Sequence, residues 1–251
     1  MNPPTPTPPT PAPFVLVHGA WGGAWIWRRV LAPLRAAGHE VHAVTLSGDG
    51  DRAHLRHRGI RLAHHVADVV AAVQAEELRG AILVGHSYGG MVVTGAADRL
   101  LDADALAVRA VVYVDAMVPL PGEGWGDAHS PEIVAARTAA AEAHDFALPP
   151  PDPRDFGLEG ADRDWLLRRQ VPHPFGPYRD PLPFDGERWA GLPRTFIDCN
   201  APAYPTIDAM RARVRALPGF RVEVIPTGHC PMVSAPAALV RLLLDAAARA
   251  G

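Results

Sequence analysis

The sequence predicts an α/β architecture: a mostly parallel, six-stranded sheet with helices on both faces and a cap inserted after the fourth strand. Three observations carry this. Short apolar, β-branched runs alternate with helical patterns over most of the chain, the alternation stops between residues 117 and 190, and the third apolar run ends in a glycine-rich turn around one serine. A length of 251 residues suits one sizeable α/β domain with a well-buried core and would cramp a second.

The strands come first. "FVLVH" (14–18), "VHAVT" (41–45), "AILVGH" (81–86) and "AVVYVD" (110–115) have the near-continuous apolar character of parallel strands buried on both faces. Between the second and third, Leu62, Val66, Val69, Val70 and Val73 recur at helical spacing and supply one face to lay on the sheet. "RTFIDC" (194–199), a helix near 206–217, "FRVEVIP" (220–226) and a last helix over 236–249 complete the alternation. The core is thus expected over 14–116 and 191–251, with a cap over 117–190. That segment carries Trp125, Trp165, Phe175, Tyr178 and Phe184, more large aromatics than an exposed loop would leave in water. The first 13 residues, "MNPPTPTPPTPAP", read as a disordered Pro/Thr-rich tail, with neither the basic start nor the apolar stretch of a secretory signal.

Composition excludes several classes of function. With 48% hydrophobic residues and a net charge of −3, the chain is neither a polyelectrolyte nor a nucleic-acid-binding surface. No apolar run is long enough to span a membrane. Two cysteines, Cys199 and Cys230, are too few for a disulfide framework and fit a reduced, cytoplasmic setting. A small-molecule substrate is the expected partner, and a homodimer is left open.

"GHSYG" (85–89) fits the GxSxG turn in which a serine sits between a strand and a helix, in a backbone conformation that demands small neighbours at Gly85, Gly89 and Gly90. The plain alternative is a glycine-rich turn with an incidental serine; the strand before it and the helix after it favour a nucleophile. Ser87 then needs a base. His229 in "PTGHCPM" follows the last strand, at the same sheet edge. His86 adjoins the serine but is expected to point away, and the other histidines read as surface or core residues. No HExxH or similar spacing occurs among the twelve histidines, so no metal site is expected. "GDGDR" (48–52) lacks the Lys-Ser/Thr of a phosphate loop and reads as a turn whose Arg52 pairs with a carboxylate.

With "FVLVHGAWGGAWIW", "VTLSGDGDRAHL", "ILVGHSYGGMVVTGAADR" and "VVYVDAMVP", the chain after residue 13 resembles the α/β-hydrolase superfamily, in the branch of plant hydroxynitrile lyases, plant methyl esterases and small bacterial esterases. The resemblance implies a sheet without the usual first hairpin, a cap after the fourth strand, a Ser-His-acid triad and no cofactor. It also makes "HGAWGGAW" (18–25) the second oxyanion turn, so the backbone N–H groups of Ala20 and Tyr88 are the candidate donors. Trp21, Trp125 and Trp165 are the candidate substrate-pocket walls. The branch holds both hydrolases and lyases; its lyases carry a threonine and a lysine where this chain has Gly19 and Cys230, which favours ester hydrolysis.

The acid is the departure. Many relatives carry it in the loop after "RTFIDC", and this chain reads "NAPAYP" there. Three aspartates could replace it. Asp208 lies in the following helix, and Asp198, at ~3.3 Å per residue, is expected well below the crevice. Asp115 closes the strand beside the one bearing Ser87, on the carboxyl edge, and is the expected acid; its alternative role is to cap the turn into the inserted segment. The expected function is a serine hydrolase acting on a small carboxylic ester, lactone or thioester through an acyl-enzyme. Its competitors are a lyase or cyclase using Ser87 and His229 for proton transfer, and a binder with little turnover.

Overall fold

The computed structural model describes residues 11–250. Strands β1 (Phe14–Val17), β2 (Val41–Val44), β3 (Ala81–His86) and β4 (Val108–Val114) alternate with helices α1 (Arg28–Ala36), α2 (Leu62–Ala75) and α3 (Gly89–Ala103). The stretch after β4 holds α4 (Pro131–Ala143), β5 (Ala147–Leu148), α5 (Gly160–Leu167), β6 (His173–Pro174) and α6 (Gly186–Ala190). Then come β7 (Arg194–Cys199), α7 (Asp208–Ala216), β8 (Phe220–Ile225), α8 (Pro231–Ser234) and α9 (Pro236–Ala250).

The six long strands form one sheet in the order β2-β1-β3-β4-β7-β8, every pairing parallel. From β1 the chain steps one way to β2 and then back across to β3. Right-handed crossovers therefore place α1 and α2 on opposite faces, and α1 packs with α9 while α2 packs with α3. The central strands β1 and β3 are buried along their whole length, as strands covered on both faces must be, whereas the edge strand β8 is largely half-exposed.

Packing against the sheet includes residues ahead of Phe14. Ala12 and Pro13 are buried, and the Pro13 carbonyl accepts from the Ile82 N–H at 2.8 Å, extending the β1–β3 pairing backward. The rest of the predicted tail, residues 1–10, lies outside the described residues.

The stretch between β4 and β7 is held to the sheet by buried polar contacts. The two-residue pair β5–β6 is antiparallel. His173 in β6 reaches Asp49 in the loop after β2 at 2.8 Å, and both side chains are fully buried. A Cβ on Gly176 would fall 2.0 Å from the Ile60 carbonyl oxygen, so that approach needs glycine. Helix α4 starts on Ser130, whose Oγ accepts from the Ile133 N–H, with Pro131 at the first helical position. Arg52 in the "GDGDR" turn pairs with Asp68 of α2 at 2.7 Å.

Candidate active site

β3 and β4 run in register, Gly85 opposite Tyr113 and His86 opposite Val114. Ser87 and Asp115, the next residue of each, therefore leave the sheet side by side. Both have left-handed backbone, with φ of +52° and +43°, a conformation costing a non-glycine residue about 1–3 kcal/mol. Close packing holds the serine turn. An added Cβ would fall 2.6 Å from the Gly89 carbonyl oxygen at Gly85, 2.7 Å from the His18 carbonyl oxygen at Gly89, and 1.9 Å from the Met117 carbonyl oxygen at Gly90.

His229 arrives on the loop between β8 and α8. Its Nδ1 lies 2.7 Å from Asp115 Oδ2 and its Nε2 2.9 Å from Ser87 Oγ. A carboxylate only accepts, so Nδ1 carries the proton and Nε2 is free to accept from the serine hydroxyl. Protein contacts fix the imidazole. Its backbone N–H donates to the Phe156 carbonyl at 3.0 Å, and the Tyr204 and His86 rings lie against it at centroid distances of 4.3 and 4.7 Å.

Strand alternation leads to the expectation that His86 points away; instead it turns beside His229. Its Nε2–H donates to the His229 carbonyl at 2.8 Å. Burial, together with the neighbouring His229, holds its ring well below the ordinary imidazole pKa, so it serves as a neutral prop.

The three candidate aspartates converge on one residue that sequence reasoning missed, Arg211 of α7. Its guanidinium donates to Asp115 Oδ1, Asp198 Oδ1 and Asp208 Oδ1, each at 2.7 Å. Only Asp115 also reaches His229. Asp198 is not low in the sheet, contrary to expectation. Val114 pairs with Ile197, so Asp198 stands level with Asp115; what separates it from the imidazole is its engagement with Arg211 and Arg215. Nothing in "DAMRARVRA" marks its first arginine as the partner of a residue 96 positions earlier.

The "HGAWGG" turn closes over the serine. A Cβ on Gly19 would lie 2.8 Å from Ser87 Cβ. Among the described residues, neither the Ala20 nor the Tyr88 N–H has a protein acceptor, and Tyr88 caps the amino end of α3, where the helix dipole favours negative charge. His18 shapes this turn from beneath, its Nε2 accepting from the Leu46 N–H at 3.0 Å and its Nδ1–H donating to the Gly19 carbonyl at 2.7 Å. Burial lowers its pKa.

Two narrow clefts flank Ser87. Trp21 lines both, fixed by its Nε1–H on the Leu148 carbonyl at 3.0 Å. The first is walled by Trp125, Tyr178, Tyr204 and Arg137, and the second by Ile26, Phe156, Leu166 and Cys230. Burial and the charge of Asp115 push the Cys230 thiol pKa up, so the group next to His229 is a neutral thiol. Trp165 lines neither cleft. It packs edge-on to Trp25 at 5.2 Å with Arg29 and Arg169 over its faces, while its neighbour Leu166 supplies the wall.

Among the described residues the one group of side chains placed to share a metal ion, Glu40, His42 and Glu76, lies at the amino end of β2, opposite the edge bearing Ser87. No helix among them is long and apolar enough to cross a membrane.

The profile of the alpha/beta hydrolase family matches residues 14–242. The carbendazim hydrolyzing esterase of Nocardioides sp. is 39% identical over 241 residues, covering 92% of this chain and 98% of that protein. Esterase PIR7B of Oryza sativa subsp. japonica is 28% identical, covering 93% and 95%. Among solved structures, an extracellular alpha/beta-hydrolase from a Paenibacillus species superposes with a TM-score of 0.81 at 22% identity, covering 94% of this chain and 99% of that one. The chain belongs to the alpha/beta hydrolase family, as an enzyme of its ester-hydrolysing kind.

Proposed function

We propose that this chain cleaves a small carboxylic ester through an acyl-enzyme on Ser87, with His229 as general base and Asp115 as the acid that orients it. The supporting observation is the unbroken line of hydrogen bonds from Ser87 Oγ through His229 to Asp115, set beside two backbone N–H groups without protein acceptors. As Oγ attacks the ester carbonyl, its proton passes to His229 Nε2, and Asp115 stabilises the imidazolium. The carbonyl oxygen becomes an oxyanion held by the Ala20 and Tyr88 N–H groups. Collapse expels the alcohol, which takes the proton from Nε2. Water then repeats the sequence on the acyl-serine, releasing the acid and restoring the hydroxyl. Residues 117–190 act as the cap, with Trp125 and Tyr178 reaching down to wall the cleft. Gly19 and the neutral Cys230 thiol leave no cation beside the base for a cyanide leaving group, which supports hydrolysis over cyanohydrin cleavage.

Carbendazim, named for the Nocardioides relative, is the first substrate to try, beside short-chain aryl esters. Ser87→Ala should lower ester turnover about a million-fold with the fold intact, because nucleophile and base act as a unit. An organophosphonate should add its mass to Ser87 in the wild type and not in the variant. A variant that kept most of its activity would sink the reading.

A further inference from the structure

The first cleft beside Ser87 contains one charged side chain, Arg137 of α4, and no acid lines it. Arg137 is half-buried, with its guanidinium carbon 5.7 Å from the centre of the Trp21 ring. Among the described residues it makes no hydrogen bond and no ion pair within 4.0 Å. Its helical neighbours three and four positions away, Ile133, Val134, Ala140 and Ala141, offer no carboxylate. Asp127 and Glu142 line the adjoining outer cleft and lie beyond pairing distance. Of the segment's other arginines, Arg163 lies on Asp152 and Arg188 on Asp98, both within 2.7 Å, while Arg168, Arg169 and Arg179, which like Arg137 have no carboxylate partner, are exposed to water.

A guanidinium stays charged at any working pH and presents five N–H donors in a planar fork. Stacking over Trp21 compensates for part of its lost hydration and satisfies none of those donors. The partner this geometry lacks is a planar pair of anionic oxygens. The second cleft, lined by Ile26, Phe156 and Leu166, has no cation and suits a small apolar group. The two sides of Ser87 therefore differ in what they can hold.

We propose that Arg137 recognises a free carboxylate on the part of the substrate lodged against α4, so that the preferred ester is a monoester of a dicarboxylic acid with a small apolar alcohol in the other cleft. This rests on the ester-hydrolase reading for its chemistry and on Arg137 alone for its selectivity.

Binding to the Ser87→Ala protein separates the two. The probes are the monomethyl esters of phthalic, isophthalic and terephthalic acid, each paired with the neutral ester in which a carboxamide replaces the free carboxylate, titrated by tryptophan fluorescence. At least one charged ester should bind about ten- to a hundredfold tighter than its neutral twin, the span expected for charge-assisted hydrogen bonds. Adding Arg137→Gln should reduce that preference to about twofold or less while leaving the neutral twin's affinity unchanged, and Arg137→Lys should restore it in part. Equal binding of all three pairs, or a preference that survives Arg137→Gln, overturns the proposal. Turnover of the same esters by the wild type is read separately: a charge preference that depends on Arg137 without hydrolysis would keep the recognition site and discard the esterase reading.

Discussion

Two buried histidine–carboxylate pairs stand in this molecule at almost the same separation, His229–Asp115 at 2.7 Å and His173–Asp49 at 2.8 Å. Both imidazoles are nearly or fully buried. They differ in what holds the far side of each group. Asp115 has the Arg211 guanidinium on its second oxygen, and His229 has a serine hydroxyl on its second nitrogen. Asp49 has no cation within pairing distance, burial raises its pKa to about 7, and His173 Nε2 has no partner. Burial alone lowers the His173 pKa to about 3. One pair has outer partners on both its groups; the other has neither and clasps the inserted segment to the sheet. A short contact between histidine and carboxylate does not distinguish a base from a clasp, whereas the outer partners do.

The sharpest way to break the comparison is to remove each carboxylate's charge with its shape kept. Asp115→Asn should lower ester turnover on the order of ten-thousand-fold by imposing the wrong tautomer on His229. Asp49→Asn should leave kcat within a few-fold, because its histidine faces no reacting atom. Comparable losses in the two variants, read as kcat on a common aryl ester, would mean that the clasp takes part in chemistry.

How much of this was readable beforehand follows from which physics is local. Ser87 lies in a turn whose glycines stand two and three residues from it, and His229 lies in the loop after a strand; both are short-range patterns. The adjacency of Asp115 to Ser87 came from strand order, since consecutive parallel strands joined by one helix become neighbours and end at the same edge. Asp198 was set aside for the wrong reason: the registers β3–β4 and β4–β7 make it level with Asp115, and its arginine partners are what occupy it. Arg211, the turn of His86 toward the base and the outward packing of Trp165 depend on contacts between segments far apart in the chain, and no periodicity or motif encodes those. Arg137 was invisible for the same reason, since an arginine's lack of partners is a property of the folded surroundings.

The next effect tests the outer partner itself. Arg211 bonds three aspartates from a nearly buried position, so Arg211→Met would leave Asp115 and Asp198 buried with little compensation. Breaking one side of a buried ion pair costs about 3–5 kcal/mol. The urea midpoint should fall accordingly, and the residual native protein should show reduced turnover because Asp115 is no longer held against His229. An unchanged midpoint would show that Arg215 and the Cys199 N–H suffice to hold the cluster.

The smallest effect sharpens the neutral side of the comparison through pH. Burial lowers the pKa of His65 to about 4 and of His173 to about 3, so between those values and the unfolded value near 6.5 the unfolded chain binds protons that the folded chain does not. Stability then falls as pH drops below about 6.5. Asp49 works in the opposite sense. Its folded pKa of about 7 exceeds the model-peptide value of 3.8, so the folded chain holds the extra proton, and this contribution is present at low pH and lost as pH rises through about 7. Two histidines outweigh one aspartate, and His18 and His86 add to them, so the wild-type Tm should decline from pH 7 to pH 5. Asp49→Asn removes the opposing contribution and leaves the histidines. The difference in Tm, variant minus wild type, should therefore climb from pH 5 to pH 7 and level off above about pH 8. Its slope is bounded by one proton, about 1.4 kcal/mol per pH unit. A difference that stayed flat across that range would mean Asp49 is ionised in the fold, and the clasp would then be a charged carboxylate accepting from a neutral imidazole.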